Sequence, residues 1–64
     1  MWQYVSHEFQ ELRPSGTIFI RVYIQNEGVP ECFTLEYNSM PDDATVVAHA
    51  TNTINLKNQQ LTQQ

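Results

Sequence analysis

The chain has 64 residues, with three Lys/Arg against seven Asp/Glu and a net charge of −4, which is room for one domain with a small core. Its cations, Arg13, Arg21 and Lys57, are too few and too scattered to neutralise a phosphate backbone or hold an anionic bilayer, so neither nucleic acid nor membrane is an expected partner. The single cysteine, Cys32, excludes an internal disulfide framework, and with two histidines in the chain no zinc site is expected.

Three segments with β character come first. Residues from Trp2 to Phe9 are rich in aromatic and β-branched side chains. From Thr17 to Gln25 the chain alternates, with Ile18, Ile20, Val22 and Ile24 on one face. From Cys32 to Tyr37 it alternates again, grouping Phe33, Leu35 and Tyr37. Arg13-Pro14-Ser15-Gly16 has the Pro and Gly placement of a type I turn, and Gly28 after Asn26-Glu27 can take positive φ. Two short connections predict an antiparallel meander in chain order.

A helix follows. Ser39 and Pro41 mark its start, and Asp42 and Asp43 sit in the first turn, where the helix dipole favours negative charge. Val47, Ala50 and Ile54 form its apolar stripe, with Thr51 beside them and Leu61 continuing it. Several Thr and Asn residues weaken its intrinsic propensity, so it must lean on the sheet. The expected fold is α+β: a three-stranded antiparallel meander and one C-terminal helix packed on one sheet face, βββα. It is a single domain over residues 1–64, with an amide-rich segment from about residue 56.

Facing residues in the second hairpin are expected to be Ile24 with Glu31, Val22 with Phe33, Ile20 with Leu35, and Ile18 with Tyr37. In the first they are Leu12 with Thr17, Phe9 with Ile20, His7 with Val22, and Val5 with Ile24, which also sets Glu8 opposite Arg21. The helix covers one face. The other is expected to carry Trp2, Tyr4, Phe19 and Tyr23 among polar neighbours, and aromatic side chains with polar tips are enriched at protein interfaces.

Catalytic patterns are weak. His7 and Glu8 point to opposite faces of a strand, so His7 reads as a packed or edge histidine. His49 has no partner three or four residues away suited to a metal, and reads as solvent-facing. Cys32 sits opposite Tyr23 without a basic neighbour and reads as a small half-buried hydrophobe. Asp42 and Asp43 read as cap and dipole partners, not as a metal site. The stretch from Asn52 to Gln64 holds seven amides and one charge, Lys57. It reads as a plain polar tail or as a contact segment in which Leu56, on the side opposite the stripe, and Leu61 anchor a partner.

The expectation is a small non-enzymatic interaction or assembly subunit, in a homo-oligomer or as an accessory component of a larger complex. Its partner-binding residues are Trp2, Tyr4, Phe19, Tyr23, Leu56 and Leu61, with no catalytic residue, metal or cofactor. A viral or phage accessory subunit fits the size. The alternative is an acidic regulator or inhibitor that binds one target protein; an enzyme with a site assembled between subunits ranks third. The N-terminal residues lack the basic flank and apolar core of a signal peptide, so a cytoplasmic, intracellular or particle-bound location is expected.

Overall fold

The computed structural model describes residues 1–62. Strand β1 spans Trp2–Leu12, β2 Ile18–Asn26 and β3 Val29–Tyr37, and helix α1 runs Asp43–Thr62. The sheet is an antiparallel meander in the order β1-β2-β3, with the helix on one face: the βββα arrangement. Gln63 and Gln64, the end of the amide-rich segment, lie outside the described residues.

Both hairpins follow from their turn residues. In the first, Gly16 N–H donates to Arg13 O at 2.9 Å and Arg13 N–H to Thr17 O at 2.9 Å, with Gly16 at φ 95°. This is a type I turn closed by a left-handed glycine, a favoured three-residue hairpin loop. In the second, Glu27 at φ 51° and Gly28 at φ 83° form a two-residue loop with both central residues left-handed, whose twist matches that of the strands. Such a loop makes Asn26 and Val29 a hydrogen-bonded pair and sets the alternation along the whole ladder. The β2–β3 register is the expected one, from Asn26 opposite Val29 to Ile18 opposite Tyr37.

The first hairpin differs. Phe9 faces Ile20, Glu8 faces Arg21 and His7 faces Val22 as expected, but register shifts occur between Tyr4 and Ser6 and between Phe9 and Glu11. Each inserts one extra residue, Val5 and Gln10, as β-bulges do. Tyr4, not Val5, therefore faces Ile24, and Ile18, not Thr17, faces Leu12. Because side chains alternate, the first bulge carries Trp2 and Tyr4 to the helix side of the sheet, against the expectation that they share the open face.

The core is compact. Ile18, Ile20, Val22 and Ile24 of β2 meet Val46, Ala50 and Ile54 of α1, all buried, with Trp2, Phe33, Leu35 and Tyr37 packed around them. Val46 takes the stripe position expected of Val47, which is exposed. Two valines in succession sit about 100° apart around a helix, so only one can point at the sheet.

Asp42 caps the helix: Thr45 N–H donates to its Oδ1 at 2.8 Å. The Thr45 side chain first, and then this backbone N–H, hold the Asp42 carboxyl below its usual range by hydrogen bonding to its charged form. A depressed folded pKa supplies stability above the unfolded value of about 3.9 and loses it as pH falls below that value. The urea midpoint of Asp42→Asn, which keeps a capping oxygen, is therefore expected to fall less between pH 6 and pH 2 than that of the parent chain. Equal slopes would mean that the cap carries no pH dependence.

Candidate interaction surfaces

The helix-side flank of β1 is held by side chains that converge on it. Trp2 N–H donates to Asn58 Oδ1 at 2.7 Å, and Asn58 Nδ2 donates back to Trp2 O at 3.2 Å. The second hairpin directs Asn26 toward β3, so the facing Trp2 turns its own N–H and C=O outward, away from β2. The Asn58 amide fills both, as a neighbouring strand would. Lys57 Nζ lies 5.1 Å from the centre of the Trp2 ring and 3.6 Å from Glu31 Oε1, and the Met1 amino group donates to Asn26 Oδ1 at 2.6 Å. Trp2, expected at an open interface, is instead the point where the two ends of the fold are tied.

Tyr4 has a similar role two residues further along β1. Its hydroxyl and His7 Nδ1 are 2.7 Å apart, and His7 Nε2 stands 3.2 Å from Asp43 Oδ1. With Nε2–H donated to the carboxylate, Nδ1 is the acceptor for the phenol, so one neutral tautomer satisfies the chain of three. Two groups thus converge on a histidine expected to have none. On the far side of the helix, His49 stacks on Tyr37 at 5.6 Å between ring centres, with its Nδ1 2.8 Å from the Tyr37 hydroxyl. Burial pushes the Tyr37 phenol above its usual value. His49 thus links the helix to β3 through Tyr37, whereas His7 links β1 to the helix start through Asp43, with Tyr4 of its own strand holding the other ring nitrogen.

The open face keeps Phe19 and Tyr23 of the four expected aromatics, and both are engaged. The Arg13 guanidinium lies 4.7 Å from the centre of the Phe19 ring, and its Nε is 3.8 Å from Glu11 Oε1. The Tyr23 hydroxyl donates to Glu8. The same hydroxyl is the main cause of a raised Arg21 pKa, with Glu8 adding a smaller coulombic contribution. Thr34 donates to Gln10 Oε1 at 3.2 Å, across the face from β3 to β1. Cys32, opposite Tyr23 as expected, is exposed, not half-buried. The face is an aromatic–polar mesh with its hydrogen bonds largely made.

Leu56 is 60 % and Leu61 43 % exposed, Leu56 on the outer side of α1 as expected. Neither shares a surface with Phe19 and Tyr23, since the sheet lies between. The six expected contact residues therefore fall in four places: Trp2 and Tyr4 beneath or beside the helix, Phe19 and Tyr23 on the open face, Leu56 on the outer helix, and Leu61 near its C-terminal end on the side of the core stripe. Asn58 was the residue missed. It follows Ile54 by four positions, and extending the Val46, Ala50, Ile54 spacing by one more step would have found it. Among the described residues no three of His, Cys, Asp and Glu come together, and no helix is long and apolar enough to cross a membrane. No protein-family model matches the chain, and neither a curated protein nor a solved structure matches it.

Proposed function

We propose that the chain is a non-enzymatic interaction subunit that works through its sheet, in a homo-oligomer or as an accessory part of a larger intracellular complex. The reading rests chiefly on an imbalance of apolar surface. Among the described residues the buried core holds seven side chains, none larger than isoleucine, whereas Phe9, Leu12, Val29, Met40 and Leu56 are each more than half exposed. Scattered apolar side chains are ordinary on a surface, but this core is small for the share of apolar side chains left outside. Burial against another protein would supply stability that the isolated fold lacks.

The open face is where this reading is most easily tested. Phe19→Ser with Tyr23→Ser removes both of its aromatics without touching the buried residues of β2, whose side chains point the other way. The double variant is expected to keep its far-UV spectrum, and an association weakened at least about tenfold, read by native mass or partner capture, would place the interface on this face. Unchanged association would place the interface off this face. A lone monomer that captures one target at fixed stoichiometry would support the regulator reading instead.

A further inference from the structure

The two sheet edges are not equivalent. β1 is interrupted by bulges at Val5 and Gln10, and its Trp2 backbone groups are already bonded to Asn58. Bulges and side-chain covers are the devices by which natural sheets close an edge to further pairing. β3 pairs with β2 in one unbroken register and carries neither device. The two-residue turn makes Val29, Glu31, Phe33, Leu35 and Tyr37 the residues bonded to β2, so Cys32, Thr34 and Glu36 turn N–H and C=O to the outside. Pro30 falls at an outward position, where its missing N–H takes nothing from the ladder.

Building on the reading above that the chain associates through its sheet, we infer that two copies pair antiparallel through β3 about a two-fold axis at Thr34, forming one six-stranded sheet with both helices on the same side. The outward groups select the register. With Thr34 opposite Thr34 of the second copy and Cys32 opposite Glu36, all three outward residues pair, for about six backbone hydrogen bonds. A shift one way sets Pro30 against Glu36 and loses bonds; a shift the other way pushes Cys32 past the end of the strand at Tyr37. The side chains agree. Phe33 meets Leu35 on the helix side, both half-buried in the single chain and packed against its core, so the dimer continues that core across the axis. Thr34 meets Thr34, a favourable cross-strand pair, and no two carboxylates face each other. Glu31 lies opposite Tyr37, with Lys57 already 3.6 Å from its carboxylate, which moderates the repulsion between two chains of charge −4.

The test places a thiol at the axis. In a Cys32→Ser background, Thr34→Cys puts two thiols at a hydrogen-bonded site with a Cα separation of about 5.5 Å, within disulfide reach. Mild oxidation is expected to give a covalent dimer, whereas Ser6→Cys in the same background, on β1, gives none. The natural Cys32 pair, four residues apart along the strands or about 13 Å, also stays reduced. Thr34→Lys, at an exposed site, is expected to keep the monomer fold by circular dichroism and raise the dimer dissociation constant at least about tenfold, because two cations face each other. Equal crosslinking from Thr34→Cys and Ser6→Cys overturns the β3 interface. A native dimer that survives Thr34→Lys also overturns it while leaving association through another surface in place. A wild-type monomer that binds a different protein overturns self-association and leaves the interaction reading intact.

Discussion

Ile20→Ala is expected to cost about 2–5 kcal/mol of stability, measured by urea denaturation. Ile20 is 4 % exposed at the centre of β2, flanked by Phe9 on one strand and Leu35 on the other. Removing three carbons from that position forfeits their transfer energy and leaves a cavity that the surrounding Ile18, Val22 and helix side chains cannot fill without shifting. The neighbouring Leu35 provides an internal contrast. It shares the face but lies on the edge strand and is half-buried, so Leu35→Ala is expected to cost about 1–2 kcal/mol. Equal losses at the two positions would mean that the edge of β3 is covered in solution. A loss below about half a kcal/mol at Ile20 would mean that the buried face is wrongly assigned.

Asn58→Ala is expected to cost about 1–3 kcal/mol, a large effect for a polar residue near the end of a helix. The substitution deletes both bonds to Trp2 and leaves a part-buried N–H and C=O without their partner. It also loosens the side of the helix on which Lys57 lies over the Trp2 ring. Asn58→Asp keeps an acceptor for Trp2 N–H but has no donor for Trp2 O, so it is expected to recover only part of the loss. Trp2 is the one tryptophan in the chain, which makes its emission a direct report on this contact. A red shift at Asn58→Ala with little change in far-UV signal is the expected signature. Unaltered emission together with unaltered stability would show that the bond pair contributes nothing net.

The second hairpin was legible in the sequence because a two-residue turn leaves one register open, and alternating isoleucines and valines agree with it. The first was legible only over its centre, from His7 to Phe9. Val5 and Gln10 are ordinary strand residues, and nothing in their identity marks a bulge, which is set by how β1 must twist to lie along β2. One such residue was enough to exchange the faces of Trp2 and Tyr4. The helix stripe was missed by a single position because Val46 and Val47 are equally apolar, and the choice between them is made by packing against β2. Tyr4, His7 and Asp43 are separated by as many as 39 positions and come together only once both the bulge and the helix start are fixed. The expected sharing of one face by Trp2, Tyr4, Phe19 and Tyr23 did not hold for the same reason: the side taken by Trp2 and Tyr4 depends on a backbone detail without a residue signature.

The bond pair between Trp2 and Asn58 spans 56 positions, almost the whole chain, which gives it a meaning in time as well as in space. A growing polypeptide at about 5–20 residues per second presents Trp2 about 3–11 s before Asn58 exists. The two hairpins need only neighbouring residues and form in microseconds once their turns are out. The last strand residue, Tyr37, precedes Asn58 by 21 positions, so for about 1–4 s of synthesis all three strands exist without the residue that ties the helix to the first of them. Ribosome-bound chains halted before Asn58 are expected to show Trp2 open to an aqueous quencher, and chains carried past it on a C-terminal linker long enough to free the whole helix from the ribosome are expected to show it shielded. Shielding in the shorter chains would mean that something other than the helix guards the sheet while it waits.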